Sequence, residues 1–165
     1  MKQSFAFLVC FVILSLSFSG AGQNKTDSSL LKYIPVTKYD PKRNAETDIK
    51  DAVLEAQRTG KLVLVDVGGE WCVWCHILDK FFDQNPKLLE YREQNFVIVK
   101  INYSPENEND KVLSRYPRIP GFPHLFVLDT KGKLLHSQGT SELEAGKSYN
   151  AEKVYAFLRK WASQK

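Results

Sequence analysis

Residues 61 to 82, KLVLVDVGGEWCVWCHILDKFF, constrain the fold more than any other stretch of the chain. KLVLVDV is a near-continuous apolar, β-branched run, the pattern of a strand buried on both faces. Gly68 and Gly69 break it. Cys72 then stands where a helix begins, and Cys75, Leu78, Phe81 and Phe82 follow on that helix. A strand, a glycine break and a Cys-x-x-Cys helix start leave few folds open, but they leave three chemistries. CVWC reads as a dithiol, CVWCH as the attachment string of a c-type haem, and Cys72, Cys75 and a nearby histidine as metal ligands.

The remaining pattern is α/β. Thr47 is placed to cap a helix with Ile49, Ala52, Val53 and Ala56 on one face, ended by Gly60. Asn85-Pro86 restarts a helix through Leu88 and Leu89. FVIVKIN (96 to 102) is a second buried strand, and NDKVLSRY (109 to 116) a short helix. PRIPGFPHLFVLD is a strand led in by prolines, a turn at Thr130-Lys131-Gly132 follows, and LLHS returns as its hairpin partner. Ala151 to Trp161 puts Ala151, Val154, Tyr155, Leu158 and Trp161 on one helical stripe, a packing face. The order α-β-α-α-β-α-β-β-α implies a central mixed sheet flanked by helices, its first two strands joined by a parallel crossover and its last two by a hairpin.

The chain has 165 residues and a net charge of +4, enough for one domain with a real core. Its Lys and Arg are scattered among acids and interleaved with no aromatic stripe, so nucleic-acid binding has no support. Residues 1 to 21 carry Lys2, an apolar run from Phe5 to Phe18 and the small residues Ser19-Gly20-Ala21, the pattern of a cleaved signal peptide rather than of a membrane anchor. Residues 22 to 44 read as an N-terminal linker or extension with a short extended piece at Tyr33 to Tyr39, and 45 to 165 as the folded domain. Of the three cysteines, Cys10 would leave with the signal. Cys72 and Cys75 would remain in an oxidising compartment, where a bridge across two residues restrains the unfolded chain little and a reactive role is favoured over a structural one.

Haem needs a second axial ligand, and the only methionine is Met1; His124 and His136 both fall in strands. Zinc needs two more ligands from His76, His124 or His136, with no second Cys-x-x-Cys to complete the set. The dithiol reading fits its position, because the unpaired N–H groups and dipole of a helix N-terminus favour a thiolate at Cys72. Cys75, one turn in, is placed to resolve the mixed disulfide.

VDVGGEWCVWC, VKIN and GFPHLFVLD together, in this order, resemble the thioredoxin superfamily over roughly residues 45 to 165. They are most similar to its exported, Dsb-type thiol:disulfide oxidoreductases and to the thioredoxin-like domains of bacterial thiol:disulfide interchange proteins. The resemblance implies a single-domain thioredoxin fold and a protein disulfide reductase or isomerase with no cofactor. It makes Cys72 the attacking thiolate, Cys75 the resolving thiol, and Asp66, helped by Lys100, the buried carboxylate that moves Cys75's proton. A structural ion pair is the other reading of Asp66 and Lys100. Pro123 would be cis and shape a groove beside Phe122 that pairs with an extended substrate. Trp71 and Trp74 would form an apolar rim, although Trp71 could equally pack on the Pro123 loop.

Val73-Trp74 between the cysteines departs from the Gly-Pro of thioredoxins and the Pro-His of strong oxidants, which favours reduction or isomerisation over oxidation. His76 is placed either to help Cys72 or to be an ordinary surface histidine. The partners implied are exported proteins with disulfides and a membrane-bound electron donor, in a bacterial periplasm rather than outside the cell or in the ER lumen. The sequon Asn24-Lys25-Thr26 would matter only in a eukaryotic secretory path. A thioredoxin-like binding module, with the dithiol a minor feature, is the competing function.

Overall fold

The computed structural model describes residues 33 to 164, so the signal-peptide reading of 1 to 21 and the first part of the segment 22 to 44 lie outside the described residues. In chain order the elements are α1 (Ala45–Thr59), β1 (Leu62–Gly68), α2 (Val73–Gln84), α3 (Pro86–Asn95), β2 (Phe96–Asn102), α4 (Asp110–Leu113), β3 (His124–Leu128) and β4 (Leu134–Gly139). A 3-10 turn at Thr140–Leu143, a two-residue hairpin of β5 (Glu144–Ala145) and β6 (Ser148–Tyr149), and α5 (Ala151–Ala162) complete the fold. The four-stranded sheet has the order β2-β1-β3-β4. β1 and β2 run parallel, while β3 is antiparallel to β1 and pairs with β4 as a hairpin. This is the helix-flanked mixed sheet expected, with the small β5–β6 hairpin in addition.

Alternation along β1 builds two cores. Val63, Val65 and Val67 join Ile49, Ala52 and Ala56 of α1 on one face. Leu62 and Leu64 join Leu78, Phe81 and Phe82 of α2 and Val154, Phe157 and Leu158 of α5 on the other. A strand covered on both faces has no solvated side, which explains its unbroken apolar run. Asp66 and Gly68 share parity with Leu62 and Leu64, so the one acid in the strand faces α2.

Three expectations are corrected or narrowed. The cap of α1 is Asn44, whose side chain accepts from the Thr47 N–H at 3.1 Å; Thr47 lies inside the helix as the residue being capped. The buried face of α5 is Val154, Phe157 and Leu158, while Tyr155 is exposed. Phe157, not Tyr155, therefore belongs to the stripe. Of the two readings of 22 to 44, linker or extension, the described part from 33 to 44 is an extension packed on the domain. Val36 bridges Val99 in parallel, the Lys100 N–H donates to the Val36 carbonyl at 3.0 Å, and Val36 and Tyr39 are both buried. The segment satisfies part of the otherwise open edge of β2.

Candidate active site

The end of β1 and the start of α2 hold the cysteine pair. Cys72 is the N-cap of α2 with extended backbone, and its Sγ accepts from the Cys75 N–H at 3.1 Å. The sulfurs form a disulfide, with Cα atoms 5.2 Å apart. Cys72 keeps 3% of its surface and Cys75 none, so the access that exists is to Cys72. Sequence alone treated the two glycines as a chain break, yet neither has a positive φ. A Cβ on Gly68 would collide with Cys75 Sγ and crowd the Tyr39 ring, and one on Gly69 would strike the Trp71 indole. They are glycines because the disulfide and the indole occupy that space.

Around the sulfurs stands an aromatic wall. The Phe122–Pro123 peptide is cis, and Phe122 packs against Cys72 and Cys75. Its ring stacks on Tyr103 at 4.8 Å and meets Trp71 edge-on at 5.6 Å. The Trp71 indole N–H donates to the Tyr103 carbonyl at 2.7 Å, which holds the ring while leaving it 54% exposed. Val73, to which sequence reading gave no binding role, is 69% exposed beside it. Trp74 is half-buried with its ring edge-on to Tyr149 at 5.7 Å. Pro123 presents its carbonyl to the Thr140 hydroxyl at 2.7 Å, and the ladders of β3 begin only at His124.

Behind the sulfurs lies a buried charge cluster. Asp66 and Lys100 are register partners on β1 and β2, both buried, with Lys100 Nζ 3.9 Å from Asp66 Oδ2. The closer partner of Lys100 is Asp79, at 2.5 Å to each carboxylate oxygen. Asp79 was missed in the sequence, although it lies four residues after Cys75 and so on the same face of α2. Burial pushes Asp66 above its ordinary carboxylate value, and the Lys100 charge opposes that shift. An acid raised in this way is poised to exchange a proton nearer neutral pH. Lys100 and Asp79 also line a cleft of about 600 Å³, bordered by Tyr33, Val36 and Arg92. Arg92 lies over the Phe82 ring at 4.1 Å, and burial lowers its pKa.

Tyr39 was also missed, because its segment reads as a linker. It is 3% exposed, clusters with Cys72 and Cys75, and its ring lies 4.4 Å from Lys100 Nζ. Its N–H donates to Glu70 Oε1 at 3.3 Å. His76 turns to the same loop, with Nε2 2.8 Å from the Glu70 carbonyl. A carbonyl only accepts, so Nε2 carries the proton and donates to that loop. His124 meets the Ser137 hydroxyl at 2.8 Å and His136 the Gln138 side chain at 3.0 Å. Among the described residues no group of three His, Cys, Asp or Glu side chains is placed to hold a metal, and no helix is long and apolar enough to cross a membrane.

Known proteins are similar to this chain in sequence and in fold. The thiol:disulfide interchange protein DsbD of Pseudomonas fluorescens is 28% identical over 116 residues, 69% of this chain and 18% of that protein. The DsbD of Tatumella citrea is 28% identical over 114 residues, 68% of this chain and 18% of its own length. The chain thus spans about a fifth or less of the length of the curated relatives it matches, 14% to 22%. A solved disulphide isomerase from Xylella fastidiosa Temecula1 superposes with a TM-score of 0.65 at 27% identity, covering 78% of this chain and 98% of that one. A thioredoxin from Thermus thermophilus, with a TM-score of 0.53 at 22% identity over 79% of this chain and 90% of its own, shares the fold. The family model described as thioredoxin-like matches residues 44–130, which take in β1, the cysteine pair, the Lys100 strand and the cis-proline strand, and by this match the chain belongs to the thioredoxin-like family.

Proposed function

We propose that the chain is an exported thiol:disulfide oxidoreductase that reduces or isomerises disulfides in protein substrates through Cys72 and Cys75. The observation that carries this reading is the Cys72 sulfur at the cap of α2, accepting the Cys75 N–H at 3.1 Å, with Cys75 fully buried beneath it. In the reduced form that N–H and the helix N-terminus favour negative charge on Cys72.

The Cys72 thiolate attacks one sulfur of a substrate disulfide. A Cys72–substrate bond forms, the substrate bond breaks, and the departing substrate sulfur leaves as a thiolate that takes up a proton. Cys75 then gives its proton to Asp66 and attacks Cys72 Sγ, closing the Cys72–Cys75 bond while the second substrate sulfur leaves as a thiolate that takes up a proton. Two electrons pass to the substrate, and a membrane-held dithiol donor must return them. For isomerisation the first released substrate thiolate attacks elsewhere in the substrate before Cys75 acts. Lys100, shared with Asp79, tempers the Asp66 carboxylate. Trp71 and Phe122, with Trp74 below, form the apolar side of the substrate groove, and the main chain ahead of β3 at Phe122–Pro123 receives an extended segment.

The direction of electron flow rests on what surrounds Cys72. Val73 and Trp74 stand between the cysteines, and His76 hydrogen-bonds to Glu70 rather than stabilising the Cys72 thiolate. The signal peptide over 1 to 21 and a periplasmic location belong to the same proposal, supported by the similarity to DsbD.

Titration against thiol–disulfide buffers, with an insulin-reduction assay, tests the direction. The expected potential lies nearer the roughly −270 mV of thioredoxin than the roughly −120 mV of DsbA, with insulin reduced. A DsbA-like potential without reductase activity overturns it. Cys75→Ser is expected to trap mixed disulfides with exported proteins; an empty trap leaves the thioredoxin-like binding module as the better reading.

A further inference from the structure

Two buried polar atoms at this site, the Tyr39 hydroxyl and Asp66 Oδ1, have no hydrogen-bond partner other than each other. One is a donor and the other an acceptor. Both lie on the α2 side of the sheet at the base of the cysteine pair: the Tyr39 ring borders Gly68 beside Cys75 Sγ, and Asp66 is two residues back on the same face of β1. An unmet buried donor or acceptor costs about 1–3 kcal/mol, so two complementary ones in one pocket call for a functional reason. Tyr39 is anchored there by the Glu70 carboxylate on its N–H and by Lys100 against its ring face.

We propose that Tyr39, carried to the base of the dithiol by the segment preceding α1, is a positioning residue whose hydroxyl donates to Asp66 and keeps that carboxylate ready to accept the Cys75 proton. This rests on the proposed role of Asp66 in resolution. Tyr39 keeps its own proton throughout, and only the Cys75 proton moves, to Asp66. The groups that act on Asp66 come from every element packed around it. Lys100 lies on β2, Asp79 on α2 and Arg92 on α3; Tyr149 on β6 feels its charge, and Leu125, its neighbour on β3, is apolar. Tyr39 and Lys100 favour the ionised carboxylate, while burial and Asp79 oppose it. The Asp66 charge in turn helps burial hold the Tyr39 phenol well above its ordinary value, so it stays a donor.

Tyr39→Phe removes the hydroxyl and keeps the ring. In the oxidised protein, where neither cysteine titrates, the Asp66 carboxyl carbon is followed by NMR. Its titration is expected to move to higher pH in Y39F, and the acid limb of single-turnover disulfide reduction to move with it. An unchanged or lowered Asp66 titration overturns the proposal. Loss of substrate reduction in the wild type would overturn the assigned function, yet the NMR comparison still decides the Tyr39–Asp66 contact. The wild type alone provides a check that needs no variant. The Tyr39 ring carbon bearing oxygen should shift as Asp66 titrates, and silence there counts against the contact.

Discussion

At the residue scale the site divides into what a motif announces and what only the fold brings together. Cys72, Cys75, Asp66, Lys100 and Pro123 were legible because each sits at a fixed place relative to a strand or to the Cys-x-x-Cys string. Asp79 was legible in principle from its spacing to Cys75, and was passed over because acids on helices usually face solvent. Tyr39 was not legible, since nothing in KYIPVTKYD marks a residue that ends under a disulfide more than thirty positions away. Asp66 also carries a stability signature with a definite sign. Its folded pKa is raised above the ordinary 3.8, so its contribution is fully present below that value and is lost as pH rises through the folded pKa. Asp66→Asn should therefore raise stability near neutral pH by on the order of 1 kcal/mol, with a higher melting temperature, and the gain should vanish in acid. Lys100 offsets part of the burial cost, and in the variant it stays paired with Asp79 at 2.5 Å. Paired thermal melts at neutral and acid pH measure the effect.

Secondary-structure elements were read well where periodicity is long and poorly where one side chain decides. β1 and β2 are unmistakable, since a two-sided burial leaves no polar alternation to confuse. The start of α1 was misassigned because Asn44 and Thr47 are both cap-forming residue types, and only the Asn44 Oδ1 to Thr47 N–H bond distinguishes them. Asn44→Ala should cost about 1 kcal/mol in urea denaturation, and Thr47→Ala much less. The stripe of α5 was misread at Ala151 and Tyr155, which are exposed, because Tyr155 and Phe157 both lie near the edge of the apolar arc and only packing on the sheet selects Phe157. The β5–β6 hairpin, two residues a side, is too short for any period to register.

For the whole molecule, the domain begins earlier than its motif does. Val36 extends the sheet at the edge of β2, and Tyr39 closes the underside of the site. Removing residues up to Tyr39 strips two buried side chains and leaves the Lys100 N–H without its acceptor. The expected loss is about 3 kcal/mol or more in urea denaturation, with faster amide exchange in β2 than in β3; unchanged stability would show the segment to be dispensable. The cleft bounded by this same segment has a wider consequence. Trp71, Val73 and Phe122 stand at the sulfur face, and none of them lines the cleft into which Lys100 and Asp79 open. A partner pressed against the sulfurs would seal that face while leaving the other uncovered. In the proposed reaction, two proteins clasped through a mixed disulfide would leave the Lys100 and Asp79 side of the charge cluster open to water.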